Sequence, residues 1–120
     1  MNTRIGARKL ALKLYSRSKC RVKMAAVLSD SRGIFAWGWN HLGVDGESGI
    51  HAEQHAIMRA NPKRLKGARL TVIGKHRHNK NFVYARPCEE ICMALAKKQD
   101  IGIIEYLTKS GTWEILKLDP

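Results

Sequence analysis

The chain has 120 residues and a hydrophobic content of 44%, which suits one globular domain with one core. We therefore expect residues 1–120 to form a single domain. No apolar run reaches the roughly 18–20 residues that a bilayer-spanning helix needs, so a membrane partner is not expected. The formal net charge of +12 is the most unusual feature of the composition.

The positive charge lies mainly in two stretches that contain no acidic residue. The first covers residues 1–29 and the second covers residues 54–87. Two such stretches on a small domain favour a polyanionic partner, with nucleic acid as the leading candidate; a basic protein that is merely soluble is the alternative. In the second stretch we predict that Lys75, Arg77 and Lys80 bind phosphates, and a solvated loop is the alternative.

Helical and strand patterns alternate along the chain and predict an α/β fold. In the first helix, a buried stripe is predicted from the spacing of Ile5, Leu12 and Tyr15, with Ala11 and the stem of Arg8 beside them. Short runs of apolar residues between turn-forming residues predict five strands, and residues 40–49 form a glycine-rich loop. The predicted order αββαβαββ consists of helix 3–18, strands 22–28 and 34–39, helix 51–59, strand 70–74, helix 88–98, and strands 102–107 and 112–118.

The third predicted helix has clear signals at both ends. Pro87 fits a first helical turn, where its missing N–H costs nothing. Acidic residues follow in the first turn and lysines lie in the last, which matches the helix dipole. Cys88 and Cys92 are four residues apart, so on an α-helix they share one face.

Two short segments contain the side chains of a metal site. His51 and Glu53 open the second predicted helix, and the two cysteines open the third. One imidazole and two thiolates are suitable ligands for Zn²⁺ and leave a fourth position for water, which zinc activates. Glu53 is then placed to transfer protons. Two core cysteines and a capping histidine are the structural alternative.

H-x-E followed by P-C-x-x-C is the signature of zinc deaminases. Because of these two segments and its predicted element order, the chain resembles the cytidine deaminase-like superfamily over nearly its whole length. Residues 89–91 place three positions between the cysteines, where the usual signature has two. The resemblance implies a three-layer α/β/α domain with a five-stranded mixed sheet. It also implies that His51, Cys88 and Cys92 bind zinc and that Glu53 is the catalytic proton shuttle.

The resemblance also points to substrate-binding residues. Asn40 is similar to the asparagine that many members use to hold the sugar or base, and the backbone N–H of Ala52 would lie near the reacting group. Trp39 is either part of the core or a stacking platform for a base. Arg86 either brings a positive charge to a substrate phosphate or points to solvent, and Pro87 beside it completes the predicted set.

Two features disagree about the substrate. Free-nucleoside members usually have a glutamate two residues after the asparagine, and Leu42 in its place favours the deoxycytidylate and nucleic-acid deaminases. The glycine-containing turn at residues 109–111 predicts an antiparallel pair of last strands, which is typical of the free-base and nucleoside branches. His55, four residues after His51, is either a further metal ligand, a residue at the pocket edge or an exposed residue of the helix.

We therefore expect a zinc-dependent hydrolase that deaminates cytosine to uracil, first in single-stranded DNA or RNA, or alternatively in a free nucleotide or nucleoside such as deoxycytidylate. A third alternative is a catalytically silent nucleic-acid-binding protein that contains zinc, against which Glu53 argues. The preference for cytosine over adenine comes from the resemblance alone. A homo-oligomer is expected because many relatives self-associate.

The cysteine content predicts the compartment. Cys20 is left over once the two motif cysteines are assigned to zinc, so a disulfide framework is not expected. Thiolate ligands and an odd cysteine favour a reducing interior, and we expect a cytoplasmic protein. The arginine-rich amino-terminal stretch is also compatible with a mitochondrial transit segment, but we interpret it as the first helix.

Overall fold

The computed structural model of the chain describes residues 3–43 and 49–118 and has the predicted element order αββαβαββ. Residues 44–48 of the predicted glycine-rich loop lie outside the described residues. Two 3₁₀ turns and one π-helical turn, Glu89–Met93, supplement the regular elements. Those elements are α1 (Thr3–Leu14), β1 (Val22–Asp30), β2 (Gly33–Trp39), α2 (Ala52–Arg59), β3 (Arg69–His76), α3 (Ala94–Lys98), β4 (Ile103–Leu107) and β5 (Trp113–Lys117), with 3₁₀ turns at Tyr15–Arg17 and Pro62–Arg64.

The strands form one mixed sheet in the order β2-β1-β3-β4-β5. β3 and β4 are parallel, and the other neighbouring pairs are antiparallel. Two parallel strands must be joined by a long crossover connection. The crossover between β3 and β4 contains the two motif cysteines and α3. The five-stranded mixed sheet and its antiparallel last pair are thus confirmed.

Helices cover both faces of the sheet and give the predicted three layers. Because side chains alternate along a strand, Ala25 and Val27 of β1 face one side, while Ala26 and Leu28 face the other. The first pair packs with α1, and the second pair packs with α2 and α3. In the described part of the chain, no helix is long and apolar enough to cross a membrane.

The buried face of α1 differs from the predicted one. Ala7, Ala11 and Leu14 are buried against the sheet, whereas Ile5 is 51% exposed and Leu12 is 37% exposed. The buried residues lie one helical turn apart, so they form a stripe, but two of its three members are small. The prediction is right for Ala11 and wrong for Ile5 and Leu12, which lie on the solvent side of the helix, while Tyr15 is half-buried against the same cluster.

α2 packs directly on the backbone of β2 at Gly38. A Cβ atom at this position would lie 2.6 Å from the Ala56 backbone nitrogen and 2.9 Å from the Ala52 carbonyl oxygen, which is closer than side chains tolerate. Glycine therefore allows a close approach that a larger residue prevents. The contact fixes the height of α2 above the sheet, and with it the residues that open this helix.

Candidate zinc site and substrate pocket

His51 occupies the position just before α2. Its backbone is extended, with φ −72° and ψ 155°, and its N–H donates to Gln54 Oε1 at 2.8 Å. This bond satisfies a donor at the helix start and fixes the direction in which the chain enters α2. The His51 imidazole is thereby held at the end of the helix, where it meets the segment that contains the cysteines.

Cys88 occupies the equivalent position before the π-helical turn. Its backbone is also extended, with φ −64° and ψ 144°, and its Sγ atom accepts from the Cys92 N–H at 3.4 Å. The Met93 N–H donates to the Cys88 carbonyl oxygen at 2.8 Å, which closes a turn of the i→i+5 type. The prediction of one α-helix over 88–98 is therefore wrong in its first turn, because the cysteines do not share an α-helical face.

The three predicted ligands meet in space. His51 Nδ1 lies 3.7 Å from Cys88 Sγ and 3.2 Å from Cys92 Sγ, and all three ligand atoms lie within 4.8 Å of one another. Ligand atoms around a tetrahedral zinc ion are separated by roughly 3.5–4 Å, so the arrangement fits the ion. Of the residues that the structure describes, these three are the group with the donor atoms and spacing for a metal.

The two cysteines differ in burial. Cys88 is exposed, whereas Cys92 is fully buried. Burial, followed by the neighbouring Glu53, raises the pKa of the Cys92 thiol. Cys92 would therefore bind a metal as thiolate only with positive charge nearby, which a zinc ion held by His51, Cys88 and Cys92 would supply.

Glu53 lies in the first turn of α2, and only 4% of its surface is exposed. The Cys92 thiol and the His51 imidazole both lower the pKa of its carboxyl group, which places Glu53 beside these two ligands. Burial raises the pKa of the Glu53 carboxyl, while hydrogen bonds and the nearby His51 oppose this shift. A buried carboxyl beside a metal site has the position and chemistry for proton transfer.

A cavity of about 440 Å³ opens beside His51. Three of its lining residues, Leu42, Ile50 and Ile91, expose large apolar side chains. The volume is in the range of small-molecule sites, in which apolar walls surround a few polar groups. The full lining consists of Cys20, Arg21, Val22, Asn40, His41, Leu42, Gly49, Ile50, His51 and Ile91.

Comparison with known proteins identifies the family. The model described as the cytidine and deoxycytidylate deaminase zinc-binding region matches residues 2–108. The chain belongs to this family. Its cofactor is Zn²⁺, and His51, Cys88 and Cys92 form the group suited to bind it. A search of curated proteins found no match.

Solved structures of deaminases have the same fold. Cytidine deaminase from Burkholderia pseudomallei superposes with a TM-score of 0.73 at 16% identity, over 97% of this chain and 93% of that chain. dCMP deaminase from the cyanophage S-TIM5 gives 0.68 at 21% identity, over 90% and 86%. The same phage enzyme in complex with dCMP and dUMP gives 0.67 at 22% identity, over 90% and 84%. At these identities the likeness shows the fold alone.

In this family member, Asn40 is held by the first strand. Its Oδ1 accepts from the Met24 N–H at 2.9 Å, and its Nδ2 donates to the Val22 carbonyl oxygen at 2.8 Å. Asn40 also lines the cavity beside His51. These bonds use one of its two N–H groups and one oxygen lone pair, so the amide is fixed in position and retains one donor and one acceptor.

His55 lies outside the group of metal ligands. Its Nδ1 accepts from the Trp39 N–H at 3.2 Å and lies 3.2 Å from His41 Nε2. Burial lowers the pKa of His55, and the nearby His41 and Arg59 act in the same direction. His55 is half-buried and lines neither the cavity beside His51 nor that beside Trp39, so its role at a pocket edge stays a prediction. Its contact with the free edge of β2 also covers a backbone donor.

Trp39 borders a second cavity of about 360 Å³. The guanidinium of Arg17 lies 5.2 Å from the centre of the Trp39 ring, within the range of a cation–π contact. Lys19 lines the same cavity. The two cavities share the wall formed by Asn40, His41 and Leu42. A basic and aromatic surface therefore adjoins the cavity beside His51.

The other predicted phosphate contacts lie in different places. The Arg77 N–H, just after β3, donates at 2.9 Å to the carbonyl oxygen of Arg21, which lines the His51 cavity. Lys75 lies 4.7 Å from the Phe82 ring centre. Lys80 lines a separate cavity with His76 and Lys109. Of the three, Arg77 is therefore the one hydrogen-bonded to a residue that lines the candidate substrate pocket.

Arg86 and Pro87 lie on the far side of the cysteine segment. Arg86 donates to Glu89 at 3.0 Å, and this bond is the main cause that raises the pKa of Arg86. Arg86 lines a cavity with Leu116 and Leu118, apart from the His51 cavity, and Pro87 is buried. Their roles in substrate binding stay predictions.

Sequence reasoning did not assign His41, Arg21 or Ile91 to the pocket. His41 directly follows Asn40, so its position next to a predicted substrate residue was an available signal. Arg21 belongs to the first basic stretch, but only the pairing of β1 with β3 shows that it meets Arg77. For Ile91, the unusual spacing of the cysteines was the only feature of the sequence that pointed to a position at the pocket.

Proposed function

We propose that the protein catalyses the hydrolytic deamination of cytosine to uracil and that its substrate is single-stranded nucleic acid. The observation that carries the reaction is the buried Glu53 carboxyl beside His51, Cys88 and Cys92, with His51 also lining a cavity of about 440 Å³. Membership of the cytidine and deoxycytidylate deaminase family supports the same chemistry.

The reaction replaces the C4–N bond of cytosine with a C–O bond, consumes one water molecule and releases ammonia. A zinc ion held by His51, Cys88 and Cys92 supplies the Lewis acidity that makes water nucleophilic at neutral pH. Glu53 accepts one proton from the attacking water and delivers it to ring nitrogen N3, and it then transfers the second proton of the same oxygen to the amine, which departs as ammonia. Its burial shields this transfer from bulk solvent.

The cavity walls orient the base. Leu42 and Ile50 offer apolar surface to a flat ring, and Asn40 presents its remaining amide donor and acceptor to the sugar or base. The backbone N–H of Ala52, in the first turn of α2, has no acceptor within the helix and is available to the substrate. Trp39 supplies a ring for stacking in the adjoining cavity.

The arrangement of charge supports a polynucleotide as substrate. Arg17 and Lys19 line the second cavity, Arg21 lines the first, and Arg77 is hydrogen-bonded to Arg21 through the backbone. Adjacent nucleotides of one strand would occupy the two cavities, with phosphates near these cations. Base stacking on aromatic rings combined with a basic groove is the usual mode of single-strand binding.

Purified zinc-loaded protein should be assayed with cytidine, deoxycytidylate, single-stranded DNA, RNA and tRNA, with mass change as the readout. We expect conversion of cytosine in a single-stranded oligonucleotide and binding that weakens steeply with salt. Conversion of deoxycytidylate without salt-sensitive oligonucleotide binding would contradict the choice of substrate and leave the chemistry intact. Size in solution of the same preparation tests the predicted homo-oligomer.

Deoxycytidylate is the second candidate substrate. It is favoured by the fold match to the cyanophage dCMP deaminase, whose structure contains dCMP and dUMP. A single 5′-phosphate would need one cation at the cavity, and Arg21 lines it. The double variant Arg17→Glu/Lys19→Glu separates the candidates, because these residues line the second cavity alone.

We expect Arg17→Glu/Lys19→Glu to weaken oligonucleotide binding at least tenfold and to reduce the salt dependence of binding, since phosphate contacts determine its slope. Turnover of deoxycytidylate should stay close to that of the wild type. Lys97→Glu/Lys98→Glu on α3 is the charge-matched control and should change oligonucleotide binding much less. Equal losses from the two double variants would indicate a response to net charge alone.

A further inference from the structure

The turn between the two cysteines contains one residue more than an α-helical turn. The Met93 N–H bonds to the Cys88 carbonyl oxygen, five positions earlier, where an α-helix would bond four positions earlier. Such π-turns are rare and occur mostly as single-turn bulges at functional sites. The sequence has a matching surplus, because three residues separate the cysteines where the usual zinc-deaminase pattern has two.

The longer turn leaves Cys92 at the metal site. Its Sγ lies 3.2 Å from His51 Nδ1, and its N–H still reaches Cys88 Sγ. Met93, which follows, is fully buried in the core. The residues after the turn therefore keep their packing, so the additional residue is absorbed before Cys92.

The turn with the additional residue places Ile91 at the cavity beside His51. Ile91 is 44% exposed although Cys92 and Met93 beside it are buried. It lines the same cavity as His51 and faces a space whose rim also exposes Leu42. A branched apolar side chain gains nothing from exposure to water, but at this point it forms a wall for a flat ligand.

We propose that the π-turn absorbs an inserted residue so that Cys92 remains a zinc ligand, and that it thereby presents Ile91 to the substrate as a specificity-determining wall for the pyrimidine ring. The second part rests on the proposed function, since it assumes that the cavity beside His51 binds the base. The first part concerns the metal site alone and can be tested without any substrate.

The metal part is tested by deleting one residue of the turn. The variants lacking Glu90 or Ile91 have the two-residue spacing, and an α-helical turn should then bring the second cysteine to the same place. We expect at least one of them to bind one equivalent of zinc per chain and to give the cobalt absorption spectrum of a two-thiolate site, as the wild type should. Loss of metal binding or of folding in both deletion variants would overturn this part.

The substrate part is tested at constant chain length with Ile91→Ala. Zinc-loaded protein is titrated calorimetrically with deoxyuridylate and with a uracil-containing oligonucleotide, and KM and kcat are measured in parallel. We expect affinity for the better of the two products to fall roughly tenfold, with KM changed more than kcat, as for other losses of pocket contact. Ile115→Ala, an equally exposed isoleucine on β5, is the matched control and should have no effect.

The outcomes separate this proposal from the proposed function. Equal affinities for Ile91→Ala and Ile115→Ala would overturn the role of Ile91. Wild-type protein that binds zinc but deaminates none of the tested substrates would contradict the proposed function and leave the metal part standing. An increase in affinity on Ile91→Ala would also overturn the role of Ile91 as a supporting wall.

Discussion

The start of α2 and the π-turn that precedes α3 contribute to one metal site, and they differ in regularity and in packing. α2 is α-helical from its first residue and contacts the backbone of β2 at Gly38. The π-turn has exposed residues at positions 89–91. A segment packed on a sheet has no space for an extra residue, whereas a segment facing solvent and a pocket does. We therefore expect the metal site to tolerate an inserted residue in the cysteine segment but not at the start of α2.

The largest expected contrast comes from the same substitution at the two helix starts. Glu53→Gln should lower kcat by about 10²–10⁴-fold, because it removes the buried group proposed to transfer protons while keeping its shape. Glu90→Gln changes an exposed carboxyl in the π-turn and should leave kcat within about twofold. Steady-state kinetics on the active substrate and zinc content of both variants provide the check. Ammonia release that persists in Glu53→Gln would refute the proposed mechanism.

A second contrast concerns the packing that holds α2. Gly38→Ala forces a methyl group against the α2 backbone and should destabilise the fold by about 1–3 kcal/mol, with weaker zinc retention. Gly6→Ala in α1 is the control, because the added atom would be 4.0 Å from Ile34 and alanine favours helix, so it should stabilise by up to about 1 kcal/mol. Urea unfolding compares the two; a Gly38→Ala protein as stable as wild type would show that α2 can shift.

The smallest expected contrast is between two ion pairs, one after α2 and one beside the cysteines. Asp30 forms a two-point pair with Arg64 just after α2, whereas Arg86 pairs with Glu89 in the π-turn before α3. The Asp30 carboxyl is 20% exposed and Glu89 is 65% exposed. Asp30→Asn should therefore cost about 1 kcal/mol of the free energy of unfolding at pH 7, and Glu89→Gln close to nothing.

The first of these pairs also gives a pH dependence. Arg64 lowers the pKa of Asp30 to about 2, from an ordinary value of 3.8. A lowered pKa stabilises the fold above the unfolded value and loses this contribution as pH falls. The stability difference between wild type and Asp30→Asn should therefore be constant above about pH 5 and shrink between pH 4 and pH 2. A difference that does not change over this interval would contradict the assigned pair.

Much of the fold was predictable because local patterns encode it. Apolar runs between turn residues predicted all the strands, although β1 and β3 extend two residues further than expected at their carboxyl ends. The buried face of α1 was predictable only in part: Ala11 lies against the sheet as predicted, but Ala7 lies there too and the larger Ile5 and Leu12 do not. Burial depends on the partner surface, which a local pattern does not contain.

The candidate site was predictable in its chemistry and less so in its geometry. His51, Cys88 and Cys92 were assigned from the residue types and spacing, and the structure brings their ligand atoms together. The shape of the cysteine segment was not predictable, because the sequence shows three residues between the cysteines without showing which type of turn they form. The contact between Arg21 and Arg77 depends on strands far apart in the chain.

The sequence by itself determined the element order, the zinc ligand types and the excess of positive charge, because each depends on residues that are close in the chain or on composition. Only the tertiary structure decided that β1 and β3 bring the two basic stretches together and that a π-turn carries Cys92 to His51. Both depend on contacts between distant segments, where backbone hydrogen bonds and close packing select one arrangement from several that the local pattern allows.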